Sequence, residues 1–316
     1  FMYNRFKITQ KQKAIIEIKE KETQAQKHVI EEKHKEITDS INYAERIQRS
    51  FLATKELLDQ NLEEYFVFFK PKDIVSGDFY WAAEVSGSGL KVPGLQNKES
   101  GTKNQKLFYL ATADSTGHGV PGAIMSILNI SSLEKALEKE QEPAQILNAT
   151  RRFIIERLKK DGSAEGGKDG MDCSLILLDK ANKTLQVAAA NNPVWIVRKP
   201  AADPDKSGLE ATAYDVIELK PDKMPVGKHD RQDVSFTQHT VNLQAGDMIY
   251  TLTDGFPDQF GGKEGKKFKV KQLRELLSAN AHLPMQQQKE LLERTFKQWI
   301  GNLEQVDDVT VIGIRV

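Results

Sequence analysis

A run of apolar and small residues leads into an aspartate and then into two glycines, in the stretch Leu107-Phe108-Tyr109-Leu110-Ala111-Thr112-Ala113-Asp114-Ser115-Thr116-Gly117-His118-Gly119. The first seven residues predict a β-strand, since a short apolar run bounded by turn residues is typical of a strand in a sheet interior. Asp114 therefore lies where this strand leaves the core. A carboxylate at such a position costs free energy unless something cationic neutralises it.

Three further sites combine aspartates with strongly apolar flanks. Asp254 follows a strand-like run, as Asp114 does, whereas Asp78 and the pair Asp307-Asp308 precede such runs. Acids at the exits of two strands and at the entrances of two others meet at one edge if neighbouring strands are antiparallel. The sequence therefore permits a cluster of four or five carboxylates.

A cluster of this kind favours a hard cation. The chain has one cysteine, so an oxygen-only site for Mg²⁺ or Mn²⁺ is the natural interpretation. Two such ions share a carboxylate and hold a water between them, about 3.5–4 Å apart in binuclear sites, and that water attacks phosphorus in line. Gly77, Gly117 and Gly119 would let the backbone approach a metal, and a backbone carbonyl could be a ligand.

Composition narrows the class of protein. The 316 residues include 45 basic and 45 acidic side chains, a balance that argues against a protein built mainly to bind nucleic acid. The single cysteine fits a reducing, cytoplasmic compartment, and neither a bilayer span nor a signal peptide is evident. The charged start at residues 3–7 would suit a cytoplasmic segment after a membrane helix, so we expect an upstream membrane or sensor module in a longer protein.

Residues 1–62 form an N-terminal helical linker in this interpretation, and residues 63–316 form the catalytic domain. The linker lacks glycine and proline, and a heptad seam is formed by Ile30, His34, Ile37, Ile41, Ala44, Gln48 and Phe51. We expect a coiled coil that makes a homodimer and carries a signal. The alternative is a solvated helix resting on the next domain.

Beyond this linker the pattern is strand, strand, helix pair, strands, helix pair. Strands are predicted at 65–69, 78–85, 106–113, 173–179, 184–190, 194–198, 235–241, 247–253 and 308–315, and helices at 121–139, 143–160, 270–279 and 284–300. The order favours an α+β fold with antiparallel sheets covered by helices. Segments 86–105 and 199–209 are predicted surface loops, the first at a hairpin tip.

Four ordered motifs resemble those of the metal-dependent phosphatases of the protein phosphatase 2C type, in the bacterial branch named for stage II sporulation protein E. They lie at Lys70–Tyr80, Ala113–Ala123, Thr253–Phe256 and Asp307–Thr310, and the resemblance covers residues from about 66 to 316. It implies a β-sandwich flanked by helix pairs, a centre of two Mn²⁺ or Mg²⁺ ions, and hydrolysis of phosphoserine or phosphothreonine on a protein.

The resemblance also implies roles for individual residues. The catalytic residues would be Asp78, Asp114, Asp254 and Asp307. Asp78 and Asp114 would be the central metal ligands, and Asp254 and Asp307 would complete the metal shell. The carbonyl of Ser115 would take the place of the glycine carbonyl used by relatives outside this branch. Asp308 is the alternative to Asp307, and Asp172 is a further candidate at the site or at a third ion.

The sequence leaves two assignments open: the role of His118 and the group that binds the phosphate. We favour a structural role for His118 over proton donation to the leaving group. No arginine matches the one that eukaryotic members use to grip phosphate, so Lys70, Lys72 or the metals alone would hold it.

Three functions compete. The leading hypothesis is a serine/threonine protein phosphatase, regulated through its N-terminal helix, whose substrate is a phosphorylated regulatory protein such as an anti-sigma-factor antagonist. The second is a catalytically inactive signalling or binding module with the phosphatase fold. The third takes residues 117–119 as an ATPase lid, and the lack of an Asn-rich nucleotide box in residues 51–110 argues against it.

Overall fold

The computed structural model describes residues 2–86, 89–91, 106–159, 169–200 and 214–316. The chain divides into two compact units, Phe1–Ala44 and Glu45–Val316. This division is not a test of the predicted domains 1–62 and 63–316, which stay a prediction. No helix in the described part of the chain has both the length and the apolar character needed to cross a bilayer.

The first unit consists of one long helix. Helix α1 spans Met2–Arg49, and its isoleucines Ile15, Ile30 and Ile37 are exposed in the single chain. Ion pairs one turn apart, such as Lys33 Nζ to Glu36 Oε2 at 2.7 Å, support its charged faces. The helix that the sequence predicts is confirmed to Arg49, and the coiled coil stays a prediction.

The helix ends earlier than the sequence predicts, because tertiary contacts of the residues after Arg49 replace further helical turns. Leu52 and Ala53 are buried, and the Ala53 amide donates to the Tyr80 carbonyl at 3.1 Å. Thr54 then caps a new short helix, α2 (Lys55–Asn61), by accepting from the Leu57 amide at 3.3 Å. The sequence pattern did not reveal this break, since residues 50–61 contain no glycine or proline.

Two antiparallel sheets form the centre of the second unit. The first sheet contains, in spatial order, β1 (Glu64–Lys70), β14 (Val309–Arg315), β11 (Met248–Leu252), β7 (Val194–Arg198) and β8 (Asp215–Leu219). The second contains β10 (His239–Asn242), β6 (Thr184–Ala190), β5 (Gly170–Asp179), β4 (Leu107–Ser115), β2 (Asp78–Ser86) and β3 (Gly89–Lys91), with β9 (Val226–Gly227) beside β5. A small third sheet pairs β12 (Phe260–Gly261) with β13 (Lys266–Lys267).

The two large sheets pack face to face through side chains that alternate along the strands. Phe108 and Leu110 of β4 join Ile249 and Ile312 of the other sheet in one buried cluster. The intervening residues of β4, Tyr109 among them, face the opposite way and pack against a helix pair. This alternation explains why the predicted strands read as continuous apolar runs, since both faces are covered.

A helix pair covers each outer face of the sandwich. Helices α3 (Gly119–Leu137) and α4 (Pro143–Leu158) pack on the second sheet, and α6 (Val270–Ala279) and α7 (Met285–Ile300) pack on the first. A one-turn helix, α5 (Gly255–Asp258), lies between β11 and β12. The α+β sandwich flanked by helix pairs is therefore confirmed.

The predicted strands and helices are found with small shifts at their ends, apart from one strand that starts late, and the short elements β9, β12, β13 and α5 were not predicted. The strand predicted at 235–241 begins only at His239, because side chains take the preceding amides: Phe236 donates to Asn148 and Thr237 donates to Asp222. Strand β8 was not predicted. Most of the predicted loops 86–105 and 199–209 lies outside the described residues, although β3 pairs with β2 as the hairpin prediction requires.

Candidate active site

The strand register brings three of the predicted acids side by side. Asp78 at the start of β2 pairs with Asp114 near the end of β4, and Asp114 pairs with Asp172 on β5. Directly opposed residues of antiparallel strands have Cα atoms roughly 4.5–5.5 Å apart. The entrance and exit positions inferred from the sequence therefore converge at one edge of the second sheet.

The first sheet contributes its acids at the same end. Asp254 follows β11 and Asp307 precedes β14, and these two strands are antiparallel neighbours. Asp78 connects the two sheets, because its Oδ2 accepts from the Thr253 hydroxyl at 2.6 Å and from the Thr310 hydroxyl at 2.7 Å. The sequence reasoning missed both threonines, although each adjoins a motif acid along the chain.

The neighbouring carboxylates raise one another's pKa. Burial raises the pKa of Asp78 well above its ordinary value, the two threonine hydroxyls oppose this, and the charges of Asp308 and Asp254 add to the rise. Burial also raises the pKa of Asp114 to about 9, with further repulsion from Asp78 first among the neighbouring acids. A cation placed among these groups would reverse the repulsion.

Two acids nearer the surface, Asp254 and Asp172, also have raised pKa values. Asp254 is exposed, yet the surrounding protein raises its pKa to about 6, with desolvation first and the Asp307 charge second. Burial raises the pKa of Asp172, whose Oδ1 accepts from the Asn191 amide group at 2.8 Å. Asn191 adopts a positive φ of 60°, so the turn after β6 places this amide against the acid.

The structure separates the roles of the last two acids. Asp308 is buried, and its two oxygens accept from the backbone amides of Lys72 and Gly77, each at 2.7 Å. Asp307 Oδ1 accepts only from the Asp308 amide at 2.9 Å, and within the described chain its Oδ2 has no hydrogen bond. Asp308 thus holds a loop in place, and Asp307 is the one with an oxygen available to a ligand.

A cavity of about 290 Å³ opens at this edge. Its lining residues are Asp114, Ser115, Thr116, Gly117, His118, Met171, Asp172, Pro225 and Asp307. Asp78 lies beneath it, only 1% exposed. Within the described ranges, no three acidic, histidine or cysteine side chains already form a group that could hold an ion.

The donor set nevertheless fits a hard divalent cation. Every candidate is a carboxylate or carbonyl oxygen, and the buried Asp78 and the half-buried Asp114 are held side by side by the strand register. Oxygen donors of this kind are those that Mg²⁺ and Mn²⁺ prefer. The strand register places Asp78, Asp114 and Asp172 side by side, and Asp114, Asp172 and Asp307 line the same cavity.

Glycines in the first two motifs allow the backbones of these two motifs to pack closely against each other. A Cβ at Gly77 would lie 2.4 Å from the Gly117 carbonyl oxygen, and one at Gly122 would lie 2.1 Å from the same atom. Gly117 and Gly119 have φ of 88° and 61°, a region that favours glycine. The Ser115 side chain is buried and accepts from Asn129 at 3.0 Å.

His118 lies at the wall of the cavity and immediately precedes α3. Its ring is exposed, and Nδ1 is 3.4 Å from Asp73 Oδ2, a long and weak contact. The contact with Asp73 is the basis for the expected structural role of His118. His118 also lines the cavity, which is the position that proton transfer to a leaving group would require.

A buried glutamine links the end of α1 to the first motif. Gln48 is 4% exposed; its Oε1 accepts from the Ser76 amide at 3.1 Å, and its Nε2 donates to the Ser76 carbonyl and to the Ser126 hydroxyl at 2.8 Å. Ser76 is two residues before Asp78. The sequence placed Gln48 in the heptad seam, and that pattern did not predict this contact.

Comparisons with known proteins agree with this geometry. A family model for stage II sporulation protein E matches residues 104–316. The SiaA-PP2C domain of Pseudomonas aeruginosa has a similar structure, with a TM-score of 0.69 and 27% sequence identity over 90% of this chain and 98% of that chain. A search of curated protein sequences finds no significant match.

Two more distant structures share the fold. One is the PP2C phosphatase domain with a fragment of the regulatory domain of SpoIIE from Bacillus subtilis, with a TM-score of 0.54 and 17% identity over 80% of this chain and 61% of that chain. The other contains the RsbU and RsbW domains of a Mycobacterium tuberculosis protein, with a TM-score of 0.52 and 17% identity over 80% and 60%.

Proposed function

Because the chain belongs to the stage II sporulation protein E family and has the protein phosphatase 2C fold, we propose that it hydrolyses phosphoserine or phosphothreonine on a regulatory protein. The observation that carries this proposal is the alignment of Asp78, Asp114 and Asp172 on three adjacent strands, opposite Asp254 and Asp307. The chemistry of such a carboxylate cluster suits two divalent ions and a phosphate ester.

The residues that would hold two Mn²⁺ or Mg²⁺ ions are Asp78, Asp114, Asp254, Asp307 and the carbonyl of Ser115. When bound, the ions would offset the phosphate charge and activate a water for in-line attack on phosphorus. Thr253 and Thr310 orient Asp78 through their hydroxyls. Asn191 orients Asp172, which we place at the edge of the site or at a third ion.

Asp308 supports the site without binding an ion in this proposal. By accepting from the Lys72 and Gly77 amides, it fixes the loop that leads into Asp78. A preorganised loop reduces the reorganisation that catalysis would otherwise require. His118, at the cavity wall, is the candidate for proton transfer to the leaving serine oxygen.

We further propose that the N-terminal helix dimerises and regulates the site. Exposed isoleucines on α1 supply an apolar surface for a second copy, and Gln48 connects the end of α1 to Ser76 beside the first motif. A shift of the helix end would therefore move a backbone segment two residues from Asp78. The substrate in this proposal is a phosphorylated anti-sigma-factor antagonist or a similar small regulatory domain.

Hydrolysis of p-nitrophenyl phosphate with and without Mn²⁺ tests the activity, with Asp254→Asn as the inactive variant and Asp215→Asn, an exposed acid on β8, as the matched control. We expect Mn²⁺-dependent turnover that Asp254→Asn reduces at least a hundredfold and Asp215→Asn leaves intact. If the wild-type protein binds Mn²⁺ but turns over neither this ester nor a phosphoserine peptide, the inactive signalling module is the better interpretation.

Deleting residues 1–44 tests regulation through the N-terminal helix. Unchanged turnover and an unchanged oligomeric state would contradict that part of the proposal.

A further inference from the structure

A lysine-rich hairpin projects beside the candidate active site. Residues 260–271, here called the lysine hairpin, contain β12, β13 and the first turn of α6, and all five lysines in it are exposed: Lys263, Lys266, Lys267, Lys269 and Lys271. Glu264 is its only acidic residue. Together with Glu275 and Trp299, the hairpin borders a hollow of about 400 Å³.

The hairpin is a fixed element, tied by backbone and aromatic contacts. The Phe268 amide donates to the Gln259 carbonyl at 3.0 Å, and the Lys269 amide donates to the Pro257 carbonyl at 2.7 Å. Trp299 of α7 donates through Nε1 to the same Gln259 carbonyl, and its ring meets Phe268 edge-on at 5.1 Å. The lysines are therefore presented from a preorganised frame, which lowers the entropy cost of binding.

The lysine hairpin contains more lysines than there are acidic partners for them in the described part of the chain. Lys266 pairs with Glu264 at 2.6 Å, Lys267 pairs with Asp258 at 2.7 Å, and Lys271 is 3.8 Å from Glu275. In the described part of the chain, Lys263 and Lys269 form no ion pair.

The start of α6 adds to this imbalance. Lys269 stands at the N-cap with a φ of 76°, and Lys271 lies in the first turn, which contains no acidic residue. Cations at a helix N-terminus are unfavourable, whereas an anion there is stabilised by the helix dipole and by the free amides. A non-glycine residue at positive φ also costs free energy, which is commonly retained where function requires it. An acidic partner would offset both costs.

This surface adjoins the site. Gln259, at the base of the hairpin, is fully buried; its Oε1 accepts from the Val306 amide and its Nε2 donates to the Glu304 carbonyl, both at 3.0 Å. Those contacts fix the segment that leads into Asp307. Lys267 pairs with Asp258 at 2.7 Å, and the Asp258 amide donates to the Asp254 carbonyl at 2.9 Å, so the hairpin is one residue removed from that acid.

We propose that the lysine hairpin docks an acidic segment of the phosphoprotein substrate while its phosphoserine occupies the candidate site. The inference rests on the proposed function and adds a basis for substrate choice. Acidic residues that flank the phosphoserine would be attracted to the exposed lysines of the hairpin, with the strongest effect at low salt.

The test uses the complete chain and two phosphoserine peptides of equal length, one with glutamates and one with glutamines around the phosphoserine. The variant Lys263→Glu/Lys271→Glu reverses two exposed charges. The Lys271 change is favoured in the first turn of a helix but removes the contact with Glu275, so circular dichroism verifies the fold of the variant. The control Lys180→Glu/Lys183→Glu alters the net charge equally at the β5–β6 turn, at the end of β5 remote from Asp172.

We expect kcat/KM for the glutamate peptide to fall roughly tenfold in the hairpin variant, since each exposed charge pair contributes only modestly. Values for the glutamine peptide and for p-nitrophenyl phosphate should stay within about twofold, as should every value of the control. Equal losses on both peptides, or no loss on either, would overturn the proposal.

Fluorescence anisotropy with the labelled glutamate peptide provides a readout that does not depend on activity. Weaker binding to the hairpin variant alone supports docking, even if the wild-type protein hydrolyses nothing and the proposed function fails. Co-sedimentation with phosphatidylserine vesicles tests whether the hairpin binds an anionic lipid surface in place of an acidic peptide. If the hairpin variant loses vesicle binding but keeps peptide binding, the surface recognises lipid and the proposal is wrong.

Discussion

Exchanging Asp308 or Asp307 for asparagine separates a carboxylate that organises the site from one that binds an ion. In Asp308→Asn, the new amide can accept from only one of the two backbone amides that the acid now satisfies, Lys72 or Gly77. One charge-assisted hydrogen bond is lost, and an NH₂ group then faces a buried N–H. Hydrogen bonds to charged groups contribute about 1.5–3 kcal/mol, and a buried donor without a partner adds a cost of about 1–3 kcal/mol.

We therefore expect Asp308→Asn to lower the free energy of unfolding of the metal-free protein by about 2.5–6 kcal/mol. Asp307→Asn keeps the acceptor used by the Asp308 amide, so the loss should be under about 0.5 kcal/mol. Urea unfolding followed by tryptophan fluorescence measures both values, since Trp81 and Trp195 are fully buried in the second unit.

Metal affinity should show the opposite order. Isothermal titration with Mn²⁺ should give a large loss of affinity for Asp307→Asn and a smaller, indirect loss for Asp308→Asn. If Asp308→Asn unfolds like the wild-type protein and loses the metal, the two roles are exchanged and the reasoning from hydrogen bonds is refuted.

Three further perturbations follow from the same site. Because the pKa of Asp114 is raised from 3.8 to about 9 in the folded chain, the metal-free protein should lose stability as the pH rises between these values, as urea unfolding at several pH values would show. Thr310→Val removes a hydroxyl donor to Asp78, so Mn²⁺ affinity at pH 7 should fall several-fold in a titration. Gln48→Ala leaves the Ser76 amide and carbonyl without their partner, and it should destabilise the second unit by about 2–3 kcal/mol in urea while raising the Mn²⁺ concentration needed for half-maximal turnover.

Matched changes away from the site serve as controls. Thr240→Val on β10 and Gln24→Ala on α1 alter exposed residues of the same types and should leave stability and Mn²⁺ affinity unchanged. Saturating Mn²⁺ should flatten the pH dependence. A pH profile that rises toward alkaline pH without metal would contradict the predicted state of Asp114.

The sequence predicted most of the fold because the signals are local. Apolar runs marked the strands, and an aspartate at the end of each of several runs marked the edge where they meet. The role of Asp308 could not be predicted, since its partners Lys72 and Gly77 lie more than 200 positions away along the chain. The same holds for Gln48, whose position in the heptad pattern gave no information about its contact with Ser76.

Two errors in the predicted element ends have a tertiary cause. The break after Arg49 depends on the Ala53 amide reaching the Tyr80 carbonyl, a tertiary hydrogen bond that overrides the helical propensity of this segment. The late start of β10 depends likewise on Asn148 and Asp222, which accept from backbone amides that the strand would need. Propensity and periodicity carry no information about either competition.

The placement of β14 has a consequence for the order in which the protein is made. This strand lies between β1 and β11, and the acids immediately before it meet motifs that are synthesised far earlier. Until residues 307–315 have left the ribosome, β1 has no neighbour on that side and the loop before Asp78 lacks its anchor. We therefore expect the site to assemble late, and a nascent chain or a chain cut before Val309 would contain every motif acid and yet have no assembled site.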